Sequence, residues 1–149
     1  MKILASLLAG VALAATALVV PAQAATTAEY EAEVVTATNT YRTAKGLNAL
    51  KKSPCLEKKA DAWAKHLATE VKKLEHRSPS NLKKVLKQCK KKRIGENLAV
   101  GYPTGTAVVT AWKNSPGHNA NLLKANTSWY GVGAYHDGTQ WWTVQMIAG

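Results

Sequence analysis

The apolar residues of this chain recur at two different spacings, and the change from one to the other falls late in the sequence. Tyr30, Val34, Ala37 and Tyr41 recur at helical spacing. So do Leu56, Ala60, Trp63, Leu67, Val71 and Leu74, with Lys58, Asp61, Lys65 and Lys72 on the other side. From Gly131 onward the pattern is that of strands. Gly131-Val132-Gly133-Ala134-Tyr135 and residues 140–147 flank Asp137-Gly138, a type I′ hairpin-turn signal. Helices first and a hairpin last leave too little chain for βαβ crossovers. The expected class is therefore layered α/β (α+β) with a mostly antiparallel sheet.

Element ends are written into the sequence. Thr26-x-x-Glu29 is a capping box, in which the Thr oxygen and the Glu carboxylate satisfy free N–H groups at a helix start. Gly46 closes that helix, and Ser53-Pro54 opens the next. His66, at the edge of the second stripe, reads as a solvated or half-buried residue. Gly95-Glu96-Asn97-Leu98-Ala99-Val100 starts a strand or extended turn, and residues 104–112 fit a short helix with Val108, Val109 and Trp112 inward. Ser115-Pro116-Gly117 breaks it before a further short helix. Trp112, Trp129, Trp141 and Trp142 serve a chain with no Phe, and at least two of them belong in the core.

The chain has 149 residues, room for one domain. Lys2, the Ala-rich run at 3–20, Pro21 and Ala22-Gln23-Ala24 read as a cleaved signal peptide, residues 1–24, ahead of a domain at 25–149. Such a protein is secreted, with no membrane span in the mature chain. Cleavage removes one cation, Lys2, and leaves 19 Lys+Arg against 9 Asp+Glu. A surface this basic attracts anionic envelope or matrix polymers without requiring any specific nucleic acid. Lys83, Lys84, Lys87, Lys90, Lys91, Lys92 and Arg93 form its densest stretch, uninterrupted by acid; most of it is expected as a solvated loop around one helical turn at Leu82, Val85 and Leu86. Cys55 and Cys89 are the two cysteines. In an exported protein one disulfide is the simplest account, with two free thiols as the other.

Four segments together resemble the CAP superfamily (cysteine-rich secretory proteins, antigen 5 and pathogenesis-related proteins; the SCP domain), in its bacterial single-domain form. They are Asn39-Thr40-Tyr41-Arg42 with Gly46-Leu47 and Leu50; Leu74-Glu75-His76-Arg77; Gly95-Glu96-Asn97-Leu98-Ala99; and Trp112-Lys113-Asn114-Ser115-Pro116-Gly117-His118 with Asn121-Leu122-Leu123, leading to Gly131-Val132-Gly133. The resemblance implies a three-layer α-β-α sandwich with a central cleft, in which His76, Glu96 and His118 meet. The second acid of many relatives is missing, because no Asp or Glu lies between Glu96 and Asp137. Asn97, Asn114 and Asn121 are the neutral residues expected near the cleft.

Two neutral imidazoles and a carboxylate form a three-ligand set for a divalent ion, with Zn²⁺ bound weakly for want of the second acid. The bland reading of the same residues is that Glu96 satisfies backbone N–H groups and pairs with a histidine to hold the sandwich together. The function expected is a non-enzymatic extracellular binding module, acting as a monomer, with a His/Glu cleft for a small or lipid-like ligand and a basic polyanion-binding face. The alternative is a metal-dependent hydrolase using His76, Glu96 and His118. No nucleophile motif accompanies Ser115, so no catalytic residue is assigned.

Overall fold

The computed structural model describes residues 25–149; the expected leader, residues 1–24, lies outside the described residues. The elements run α1 (Thr27–Ala44), β1 (Lys51–Lys52), α2 (Pro54–His66), a π-helical turn (Leu67–Val71), α3 (Pro79–Gln88), β2 (Ile94–Val100), α4 (Gly105–Lys113), α5 (Pro116–Leu122), β3 (Trp129–His136) and β4 (Trp141–Ala148). The sheet order is β1-β3-β4-β2. β4 pairs antiparallel with β3 on one side and β2 on the other, and the two-residue β1 adds a parallel edge.

β4 is buried along its whole length, and its alternating side chains build two half-cores. Trp141 and Ile147 join Tyr30, Val34, Val108, Val109, Trp112 and Leu122, the layer of α1, α4 and α5. Trp142, Val144, Met146 and Ala148 join Leu56, Ala60, Ala64, Leu67 and Val85, the layer of α2 and α3. This is the three-layer α-β-α sandwich. The polar members of β4 are also satisfied inside: Gln145 Nε2 donates to Thr38 Oγ1 at 2.8 Å, and Thr143 Oγ1 donates to the Tyr30 hydroxyl at 3.2 Å. Two glycines set how closely α2 approaches the sheet. A Cβ on Gly131 would strike the backbone at Leu56 and Glu57, and one on Gly133 the backbone at Ala60 and Asp61.

The capping box, the Ser53 cap and the left-handed Gly46 stand where the sequence places them. Trp112, Trp141 and Trp142 are buried and Trp129 is half-buried. Three local expectations are revised. The α2 stripe does not reach Leu74: the π-turn ends at left-handed Lys72, and Leu74 is 44% exposed. The basic stretch is a loop only in its second half, from Lys90 to Arg93, and its first half is more than one helical turn. Ser78 Oγ accepts from the Asn81 N–H, Pro79 takes the first turn, and a ten-residue helix carries Lys83, Lys84 and Lys87. Lys, Leu and Gln are good helix formers, and burial of Val85 and Cys89 anchors them. The hairpin turn, finally, is not centred on Asp137-Gly138: Gly138 has positive φ but Asp137 does not, and the Asp137 N–H donates to the Gln140 carbonyl at 3.1 Å across Gly138-Thr139. The Asp137 side chain accepts from the N–H groups of Thr139 and Gln140 and from the Trp142 indole. A side chain that closes three donors favours this turn over the one centred on Asp137-Gly138.

Cys55 and Cys89 are joined, tying the first turn of α2 to the C-terminal cap of α3.

Candidate functional site

Residue Glu96 enters the site from β2, one residue past Gly95, where any side chain would collide with Asn121. Its own side chain is 2% exposed, so both carboxylate oxygens need donors. Oε1 accepts from His76 Nδ1 at 2.9 Å and from the Arg77 backbone N–H at 3.1 Å. Oε2 accepts from Arg77 Nη1 at 2.5 Å. The Arg77 guanidinium also donates to the Lys59 carbonyl and lies 4.8 Å from the Trp63 ring centre. Glu96 therefore fastens the segment after the π-turn to the sheet, and Arg77 is the ion-pair partner that the sequence reading left out. The only sequence signal for it is adjacency, since Arg77 follows His76 directly.

His76 keeps its ring 58% exposed, with Nδ1 turned inward to Glu96 and Nε2 free of the carboxylate. His118 stands in the first turn of α5 and is half-buried. Burial holds its imidazole below the usual histidine range, and the charge of nearby His76 adds to the effect. His118 is accordingly neutral at pH 7. Its ring packs 6.3 Å from Trp112, centre to centre.

Two of the three asparagines join the cluster through the backbone. Asn121 Nδ2 donates to the Glu96 carbonyl and to Asn97 Oδ1. Asn97 Nδ2 donates to the His118 carbonyl and to Gln145 Oε1. They bind α5 to β2 and so set where His118 lies. Asn114 instead occupies the C-cap of α4, exposed.

Among the described residues no three His, Cys, Asp or Glu side chains are arranged to share one ion. Glu96 orients His76 from behind. The donor set does not fit a site in which Glu96 is itself a free ligand, since both its oxygens are engaged.

A cavity of about 280 Å³ reaches His118, lined with Leu74, Leu98, Val100, Tyr102 and Trp112 among others. A larger concavity, about 730 Å³, is elsewhere: an open groove between α1 and α4 with Ala32, Ala37, Tyr41 and Val109 in its wall. A third, about 410 Å³, separates α2 from α3.

Fold and site define a class: a helix–sheet–helix sandwich whose edge strand β2 carries a buried glutamate held by a histidine and an arginine. The profile of the cysteine-rich secretory protein family (CAP) matches residues 35–146, and the chain belongs to that family. It is 36% identical over 122 residues to the uncharacterized protein YkwD of Bacillus subtilis (strain 168), covering 79% of this chain and 47% of that one. A solved extracellular protein containing an SCP domain, from Bacillus anthracis str. Ames, superposes with TM-score 0.69 and 26% identity, over 80% of this chain and 40% of that one. An outer surface protein of Borrelia burgdorferi superposes with TM-score 0.74 and 24% identity, over 83% of this chain and 95% of that one, a likeness of fold. The chain thus spans less than half the length of the two Bacillus proteins. Among the described residues no helix is long and apolar enough to cross a membrane.

Proposed function

We propose that this CAP domain is a non-enzymatic extracellular binding module whose basic face holds anionic envelope or matrix polymers. One observation carries the reading. The seven cations from Lys83 to Arg93 project from α3 and its exit, six of them exposed, and none forms an ion pair with a carboxylate among the described residues. Unpaired cations on one face attract a polyanion and release its counterions, so affinity falls steeply with salt. Elution from a heparin column tests this. Replacing exposed Lys87, Lys90 and Lys92 with Gln should lower the eluting salt markedly; unchanged elution would overturn the reading. The apolar-walled groove between α1 and α4 supports a small or lipid-like ligand as a second cargo of the same module.

The hydrolase reading has one observation in its favour. His118 is kept neutral beside His76, as metal-binding imidazoles require. These two would hold a weakly bound Zn²⁺, which would supply Lewis-acid chemistry when present. Glu96 orients His76 and, with both oxygens engaged, is no free general base. Calorimetric titration with ZnCl₂ tests the site. Weak binding at pH 7.5 that fades at pH 5.5, and is lost in the His76→Ala, His118→Ala double variant, supports it. Equal binding by that variant would remove both histidines from it.

A further inference from the structure

The face that carries the cations also contains a groove. Along α2, Lys59, Ala62, Trp63 and His66 each lie three or four residues from another of the set, and all face the gap. Along α3, Asn81, Lys84, Val85 and Gln88 do the same from the other side. These spacings place each set on one stripe of its helix, so the two stripes form opposite walls. The Cys55–Cys89 bond ties the two helices together, and Arg77 lies in the groove's lining.

The lining has a definite chemistry. It contains no carboxylate. Arg77 is neutralised by Glu96, and His66 Nδ1 meets Glu70 at 3.0 Å. Lys59 and Lys84 stand on facing walls with no acidic partner among the described residues. Asn81 and Gln88 add amides that both donate and accept. Trp63 is held in place: its indole N–H donates to the Glu75 carbonyl at 3.1 Å, Arg77 covers one face, and the His66 ring lies 4.8 Å away at a tilt of 34°, while the remaining half-buried surface of the indole lines the groove. Two unpaired ammonium groups call for an oxyanion. Amides together with an immobilised indole suit a ring that is polar at its rim and apolar on its faces. The volume, about 410 Å³, lies in the range of small-ligand sites.

We propose that the groove between α2 and α3 binds a sulfated or phosphorylated sugar unit of an anionic polymer, its oxyanion between Lys59 and Lys84 and its ring against Trp63. This rests on the polyanion-binding reading and assigns it a defined pocket. The two sources of the oxyanion, sulfate ester and phosphate ester, are separated by titrating with a heparin-derived tetrasaccharide and with a sugar-phosphate oligomer of equal charge.

Calorimetry at fixed salt compares two variants that lose the same charge. Lys59→Gln with Lys84→Gln empties the groove of free cations. Lys58→Gln with Lys65→Gln removes two exposed cations of α2 that lie outside both the groove and the Lys83–Arg93 stretch. The groove variant should bind the tetrasaccharide about tenfold more weakly or worse, as expected for losing charge-assisted hydrogen bonds, and the control should change it less than about threefold. In ¹⁵N-labelled protein the Trp63 indole resonance should move on binding, and that of Trp129, which packs beneath Lys91, should not. Equal losses in the two variants, or no loss in either, would overturn the groove and leave the basic face to be decided by the heparin elution. Inorganic sulfate binding as tightly as the tetrasaccharide would overturn the sugar assignment.

Discussion

Glu96 and Arg77 show how one buried ion pair can look like a reactive site when read from sequence. Removing one partner of a buried pair leaves the other charge uncompensated and costs about 3–5 kcal/mol. Glu96→Gln should therefore lower stability by about 3 kcal/mol in denaturant unfolding; a change below about 1 kcal/mol would mean that Arg77 finds another partner. The residue pattern made Glu96 and His76 legible as neighbours, because an acid inside a strand needs donors. It did not reveal Arg77, since a cation in so basic a chain reads as surface. Arg42 is a second case. It is 1% exposed, and its guanidinium donates to the carbonyls of Asn48, Leu122, Lys124 and Thr127. The Asn39-Thr40-Tyr41-Arg42 segment that carried the family resemblance is thus framework: Asn39 clamps both backbone groups of Leu50, and Arg42 gathers the loop after α5.

Between elements, α1 meets the hairpin through an acid. Glu31 accepts from the Ala134 N–H at 2.8 Å. Burial pushes its carboxyl up to about 7, the Ala134 hydrogen bond opposes the rise, and the charges of Asp61 and Glu57 reinforce it. In the unfolded chain the same group ionises near 4.5. Between those values the folded protein keeps a proton that the unfolded chain has released, so stability is lost as pH rises through that window. Glu31→Gln should consequently stabilise the protein at pH 8, by about 1 kcal/mol once solvent screening of a half-exposed group is allowed for, and change nothing at pH 4. Thermal melts of both proteins across pH 4–8 check this, and a gain that does not depend on pH would refute it. Element identity was largely legible, because caps and periodicity are local. α3 was not. Its cations suggested a solvated loop, and only the burial of Val85 and Cys89 against α2 makes a helix of it.

Over the whole molecule, the disulfide and the sheet hold the layers together. The Cys55–Cys89 bond closes 34 residues of chain. Its loss in a Cys55→Ala, Cys89→Ala variant should cost about 3–4 kcal/mol by chain entropy, read from the denaturant midpoint; an unchanged midpoint would show the closed loop already ordered in the unfolded ensemble. The sequence by itself determined the class of fold, the caps, the central hairpin and the family, because those follow from periodicity, terminal residues and motifs in order. It also brought forward His76, Glu96 and His118. Only the tertiary structure decided what those residues do. Which donors reach a buried carboxylate, which lysines face each other across a groove and which glycines admit a helix depend on contacts between segments far apart in the chain. A one-dimensional pattern records which residues are present and how they alternate, but the partner of a charge is chosen by packing.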